Sequence, residues 1–270
     1  MKTIIITGGT TGIGKALVEY FAKKNYSVIF TGRNTSIANE ILSQLSDYQL
    51  KFYETDFSSF ESVSSSANKI KDNYHNIDVL INNAGVWEME FKETKNGIET
   101  NFAVNHLSPM LFTLKLLPNI NQKSGRIVNT SSGAHRRNIL DLDDIQWRNK
   151  PYDGVSTYSQ SKLCNIFFTN QLAEKLADTG ILVNTVHPGI VKTELFKNMN
   201  NPNWVGERTS FDGARSAIFA SEDNTLVNQS KLYIYLENLD ENITDMAKDL
   251  NLSKKVWDIS LNYIKAYLFN

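Results

Sequence analysis

Along most of the chain, short runs of apolar and β-branched residues alternate with longer stretches whose apolar positions recur at helical spacing. Thr3 to Thr7 reads as a strand and Lys15 to Lys24 as a helix closed by Asn25, with a second strand over Ser27 to Thr31. The pattern repeats with a helix from Ser36 to Leu45, a strand from Leu50 to Thr55, a helix from Ser59 to Asn73 and a strand from Ile77 to Ile81. A long helical stretch over Asn96 to Leu117 precedes a strand from Gly125 to Ser132. Tyr158 opens a helix running to Gly180, and Ile181 to Val186 is a sixth strand. A helix over Gly213 to Ala220 leads to a last strand at Lys231 to Leu236. Such alternation predicts right-handed βαβ units, hence a single doubly wound α/β domain over residues 1–270 with a seven-stranded parallel sheet flanked by helices. Residues 195–212, with paired Asn, Pro202, Trp204 and Gly206, break the pattern and read as a mobile lid. The tail, 243–270, ends in an amphipathic helix carrying Trp257, Ile259 and Tyr263.

Composition narrows the function classes. The chain has 270 residues, 41% of them hydrophobic, enough for a sizeable core. With 28 basic and 29 acidic residues and no long like-charge run, it carries neither a nucleic-acid footprint nor a membrane-surface face, so the partner expected is a small, near-neutral and apolar molecule. Cys164, the single cysteine, lies in an apolar run and fits a buried side chain in a reducing compartment. The first strand starts almost at Met1 and no run approaches bilayer length, so a cytoplasmic protein without leader or membrane anchor is expected.

Candidate chemistry falls at the ends of these elements. Gly8-Gly9-Thr10-Thr11-Gly12-Ile13-Gly14 joins the first strand to the first helix, the context in which glycines let the backbone approach a pyrophosphate over a helix N-terminus; a ligand-free turn is the alternative. After the second strand stands Arg33 instead of a carboxylate, which in this topology favours the 2′-phosphate of NADP over the free ribose of NAD. Tyr158 and Lys162, four apart, share a helix face where an ammonium can favour ionisation of a phenol. Tyr20 and Lys24 repeat the spacing on what reads as a surface helix, so spacing alone decides nothing. Ser132 has no acid–His relay beside it and suits hydrogen-bond donation to a carbonyl oxygen. Asn105 is a weak helix former in a helix interior, and neighbouring His106 reads as packing. The acidic loop Asp141, Asp143 and Asp144 lacks histidines at ligand spacing, so no metal is expected.

The spacing Gly8, Gly12, Gly14, with Asn82-Asn83-Ala84-Gly85 after the fourth strand and Pro188-Gly189-Ile190-Val191-Lys192-Thr193 after the sixth, resembles the short-chain dehydrogenase/reductase family, not its extended branch, over the whole chain. The segments Leu140 to Trp147 and Ser161 to Thr169 look like the branch of retinol dehydrogenases and soluble carbonyl reductases. The resemblance implies a Rossmann-type fold and four catalytic residues: Tyr158 as proton donor or acceptor, Ser132 orienting the substrate oxygen, Lys162 tuning the phenol and holding ribose, and Asn105, at a helix distortion, linking the site to water. It implies cofactor contacts from Gly8, Thr10, Thr11, Gly12, Ile13, Gly14, Arg33, Asn34, Phe57, Asn83, Ala84, Gly85, Tyr158, Lys162, Pro188, Gly189, Ile190 and Thr193. Asp56 matches an adenine-contacting position, or equally caps the following helix. NADP(H) is expected over NAD(H), with hydride exchange on a carbonyl/alcohol pair; the rival is a catalytically silent NADP(H)-sensing protein. Apolar faces on the helices of Asn105 to Leu117 and Tyr158 to Ala177 imply, by the same resemblance, a homodimer or homotetramer.

Overall fold

The structure, a computed structural model of the chain, describes residues 1–196 and 208–269. Eight strands form one sheet in the order β3-β2-β1-β4-β5-β6-β7-β8. They are β1 (Thr3–Ile6), β2 (Ser27–Gly32), β3 (Leu50–Glu54), β4 (Val79–Asn82), β5 (Arg126–Thr130), β6 (Leu182–His187), β7 (Tyr233–Tyr235) and β8 (Asn238–Leu239). The first seven run parallel, as the alternation predicts, and β8 adds an antiparallel edge through Ile234 opposite Leu239. Two residues are too few to show an alternation, so this hairpin has no signal in the sequence pattern.

The helices are α1 (Gly12–Lys23), α2 (Thr35–Gln44), α3 (Phe60–Asn73), α4 (Thr100–Phe102), α5 (Ser108–Leu116), α6 (Gly154–Lys175), α7 (Ser210–Glu222), α8 (Asp245–Lys248) and α9 (Leu250–Leu268). Successive strand residues point to opposite faces, and the apolar content of both faces is what a parallel sheet covered on two sides requires. Ile4, Ile6, Val28, Phe30, Val79 and Ile81 pack with Leu17, Val18 and Phe21 of α1 and Ala214 and Ala217 of α7. Ile5, Ile29, Leu80 and Ile127 pack with side chains of α3, α5, α6 and α9 on the other face. The order reverses between β1 and β4, so their C-terminal ends open a crevice, the place where ligands bind in such sheets.

Boundaries shift where caps decide them. Asp153 accepts from Val155 N at 3.1 Å, so α6 starts at Gly154 and Tyr158 stands in its second turn rather than opening it. Thr209 and Asp212 form a reciprocal capping box that starts α7 at Ser210, taking the end of the expected lid into a helix. Lid residues 197–207 lie outside the described residues. The long helix expected over Asn96 to Leu117 starts only at Thr100 and is interrupted by a π-turn, Ala103–Leu107, in which Ser108 N–H reaches back to Ala103 O.

The tail helix α9 lies across α3, α5 and α6. Trp257 stacks on Phe168 at 5.9 Å, Tyr263 meets Phe102 edge-on, and Ser260 Oγ lies 2.8 Å from His106 Nε2. On the helices where a homodimer or homotetramer was expected, α9 of the same chain packs against α5 and α6. Burying Val256, Trp257 and Ile264 contributes about 1.5–3 kcal/mol each. Truncation after Asp249 should therefore lower the unfolding temperature markedly and make the protein self-associate through the bared faces. Calorimetry and sedimentation check this; a truncated chain as stable and monodisperse as the full one would contradict it.

Candidate active site

A cleft of about 1400 Å³ lies along the C-terminal ends of β1 to β6. It is lined by Gly8, Thr10, Thr11, Gly12, Ile13, Gly14, Arg33, Asp56, Phe57, Asn83, Ala84, Gly85, Ser132, Tyr158, Lys162, Pro188, Gly189, Ile190 and Thr193. Two expected residues stand off it. Asn34 accepts from Ile37 N at 3.0 Å as the cap of α2, and Asn105 is wholly buried behind Gly85. Asp56 does not cap α3, where Ser59 does so; its Oδ1 accepts from Ser58 N and Oγ.

The glycine turn fits a pyrophosphate on structural grounds. Gly8 and Gly12 have φ of +67° and +52°, in the left-handed region. A Cβ on Gly14 would stand 2.0 Å from Gly8 O, so the turn closes tightly under the first turn of α1. The N-cap of that helix, Thr11, makes no side-chain cap bond and the first turn holds no acidic residue, leaving its N–H groups for an anion. Asn83 Nδ2 donates to Thr7 O at 2.9 Å, while Thr7 Oγ1 accepts from the backbone N of Asn83 and Ala84, which ties the end of β4 to the turn. Thr193 reaches Gly12 from the loop after β6, so both motifs meet across the cleft. Arg33 is exposed just after β2, where it lines a small side pocket together with Glu54, Asp56 and Lys69.

Beyond the turn the polar groups converge. Ser132, two residues past β5, is in extended conformation; its Oγ accepts from Ala134 N at 3.2 Å, leaving its hydrogen to donate, and it faces the Tyr158 phenol. Lys162 Nζ lies 5.5 Å from the Tyr158 ring centre and 3.4 Å from Thr130 O. Both side chains are buried, and burial dominates their titration: the phenol is pushed up to about 12 and the ammonium down to about 8. Desolvation, not the lysine, governs the phenol, and the Ser132 hydrogen bond acts against it. Asn105 stands in the π-turn, the expected distortion, with Oδ1 accepting from Val86 N at 2.8 Å and Nδ2 donating to Val86 O at 2.9 Å and Ser161 Oγ at 3.0 Å.

Sequence reasoning missed Trp87, whose indole stacks on the Tyr158 ring at 4.1 Å and 5°. Val104 and Val155, also in the wall, lie one residue before Asn105 and one turn before Tyr158, a spacing that could have found them. The bland readings hold elsewhere. His106 is buried, bonded to Asn165 and Ser260, and held neutral at about 4 by desolvation. Cys164 is buried and its thiol pushed up. Tyr20 donates to Glu222 at 2.8 Å in the seam with α7, away from the cleft. Asp141 pairs with Lys150.

Residues 2–204 match the short chain dehydrogenase family. The chain is 36% identical to retinol dehydrogenase 13 of Homo sapiens over 72% of its own length and 60% of that protein's. Retinol dehydrogenase 14 of Mus musculus is 31% identical over 96% of this chain and 84% of that one. The chloroplastic short-chain dehydrogenase TIC 32 A of Brassica napus is 32% identical over 98% and 89%. Among solved structures, an uncharacterized protein from Mycobacterium paratuberculosis superposes with a TM-score of 0.79 at 28% identity, covering 98% of this chain and 94% of that one. A blue fluorescent protein from a metagenomic library, in complex with NADPH, shares the fold with a TM-score of 0.71 at 22% identity over 87% of this chain and 96% of that one. No helix among the described residues is long and apolar enough to cross a membrane.

Because the lysine titrates near 8, it is a cation below that pH and a neutral amine above it. Affinity for an anionic dinucleotide should therefore be highest below about pH 8 and fall as the pH rises through it, and Lys162→Met should flatten this dependence. Fluorescence titration with NADPH from neutral to alkaline pH measures it; a wild-type affinity constant across that range would contradict it.

Proposed function

The chain belongs to the short-chain dehydrogenase family, and from that premise we propose that it is an NADP(H)-dependent oxidoreductase acting on a carbonyl/alcohol pair. The observation that supports this most is the facing of Ser132 and Tyr158, with Lys162 beside the phenol, in the same cleft as the uncapped glycine turn. When bound, the nicotinamide supplies or takes up the hydride. Ser132 donates a hydrogen bond to the substrate oxygen and orients it. Tyr158 gives its proton to that oxygen as negative charge develops there, or removes it in the oxidising direction. A phenol kept protonated by burial is suited to the reducing direction. Lys162 holds ribose hydroxyls, and Asn105 fixes the wall behind it. Trp87, Val104 and Val155 give the cleft an apolar side, favouring a small substrate with an apolar group next to its carbonyl. The reaction runs in the cytoplasm, where buried Cys164 stays reduced. A silent NADP(H)-sensing protein would not need a donor pair aimed into the cleft.

Tyr158→Phe should leave cofactor binding nearly intact and lower turnover by at least about 10²-fold, the lower end of what general acid catalysis contributes. Lys162→Ala should weaken both cofactor binding and turnover, while Tyr20→Phe should change neither. An assay of NADPH consumption with aldehydes and ketones checks this; a folded Tyr158→Phe protein with more than about a tenth of wild-type activity would overturn the assignment.

Cofactor choice follows from Arg33. A charge-assisted contact with a 2′-phosphate contributes roughly 1.5–3 kcal/mol, about ten- to hundredfold in affinity. NADPH should bind more tightly than NADH, and Arg33→Ala should remove most of the gap. Equal binding of both by the wild type would contradict the reading.

A further inference from the structure

Between β4 and α4, residues 86–88 form a strap fastened from one side by two asparagine side chains. Asn105 pairs with Val86 through both its amide groups, Oδ1 to N at 2.8 Å and Nδ2 to O at 2.9 Å. Asn101 does the same to Glu88, Oδ1 to N at 2.9 Å and Nδ2 to O at 3.0 Å. A carboxamide presents the C=O and N–H of a peptide, so each asparagine stands in for the neighbouring strand that the strap lacks. The geometry needs a coincidence of spacing: residues two apart in an extended segment face one way, and residues four apart on a helix share a face.

Trp87, between the two fastened residues, is turned to the opposite side. Its indole lies flat on the Tyr158 ring, 4.1 Å between centres and 5° between planes. The far end of the indole is tethered too, Nε1 donating to Gly154 O at 3.0 Å in the first turn of α6. There is no slack beneath, because a Cβ on Gly154 would stand 2.5 Å from Met89 Cα and 2.6 Å from Glu88 O. The same asparagines reach α6: Asn101 Nδ2 lies 2.9 Å from Thr157 Oγ1 and Asn105 Nδ2 lies 3.0 Å from Ser161 Oγ, the residues directly before Tyr158 and Lys162. One pair of side chains therefore sets both the helix that carries the phenol and the strap that carries the ring against it.

We propose that Trp87 is a positioning residue for Tyr158, its tethered indole holding the phenol in the plane from which the hydroxyl meets the substrate oxygen opposite Ser132. An aromatic that merely filled space would need neither the tether at its far end nor a strap pinned at alternate residues. The indole also covers one face of the phenol, in keeping with the desolvation that governs Tyr158. The inference rests on Tyr158 being the proton donor.

Trp87→Phe keeps a ring and loses the Nε1 bond; Trp87→Leu keeps apolar bulk and loses the ring face. With NADPH and the best aldehyde found for the wild type, the Leu variant should lose about tenfold or more in kcat, since small misplacements of a reacting group are costly. Its dissociation constant for NADPH should stay within about twofold and its KM within about threefold, and the Phe variant, which keeps the ring face without the tether, should recover only part of the lost kcat. If the Leu variant does not fold, Trp87→Met makes the same comparison. A folded Leu or Met variant with wild-type kcat would overturn the proposal, as would a kcat loss matched by an equal loss of NADPH affinity. Tyr158→Phe run alongside separates the two levels: inactive Tyr158→Phe beside a fully active Trp87→Leu removes the role of Trp87 alone, whereas active Tyr158→Phe removes the proton-donor reading beneath it.

Discussion

The carboxamides of Asn101 and Asn105 hold three segments of chain in one register: the strap after β4, the helix they belong to, and the first turns of α6. Each is buried and fully engaged, and a buried amide left unpaired would cost about 1–3 kcal/mol. The arrangement therefore tolerates little drift. The π-turn at Ala103–Leu107 sits inside this helix and breaks its regular repeat at Asn105. Behind Asn101 stands Glu99, a buried carboxylate that accepts from the N–H groups of Asn101 and Phe102 and from Tyr152. Desolvation raises the Glu99 pKa, and the hydrogen bonds from Phe102, Tyr152 and Asn101 act against it.

From this frame follows the character of the site. The sheet's reversal between β1 and β4 opens the crevice, and glycines at its floor leave room for a backbone-bound anion. At the other end, chemistry is set by exclusion of water. Tyr158 and Lys162 are both buried, and desolvation moves their titrations toward neutral forms. A bound anion would favour the ammonium by adding negative charge near it, which would couple anion binding to the protonation of Tyr158 and Lys162.

Much of this was legible where one short element carries the message. The glycine turn, Asn83-Ala84-Gly85 and the Tyr158/Lys162 pair are local spacings on a strand end or a helix face, and the structure gathers them in one cleft. The role of Trp87 was not legible, because it depends on how far a strap is pulled by side chains of one helix toward another. Spacing also misjudged the phenol, since four residues of separation place an ammonium near it but say nothing of how dry the place is. The amphipathic face of α9 was visible in the sequence, but its landing on α5 and α6 was not.

The most direct test of the account is isotopic transfer: wild-type protein, NADPH carrying deuterium at the transferable C4 position, and an aldehyde from the accepted panel. Mass spectrometry of the alcohol should find the deuterium on the carbinol carbon, with NADP formed in equal amount. NADPH bound by the folded protein, with no labelled alcohol from any aldehyde or ketone, would contradict it.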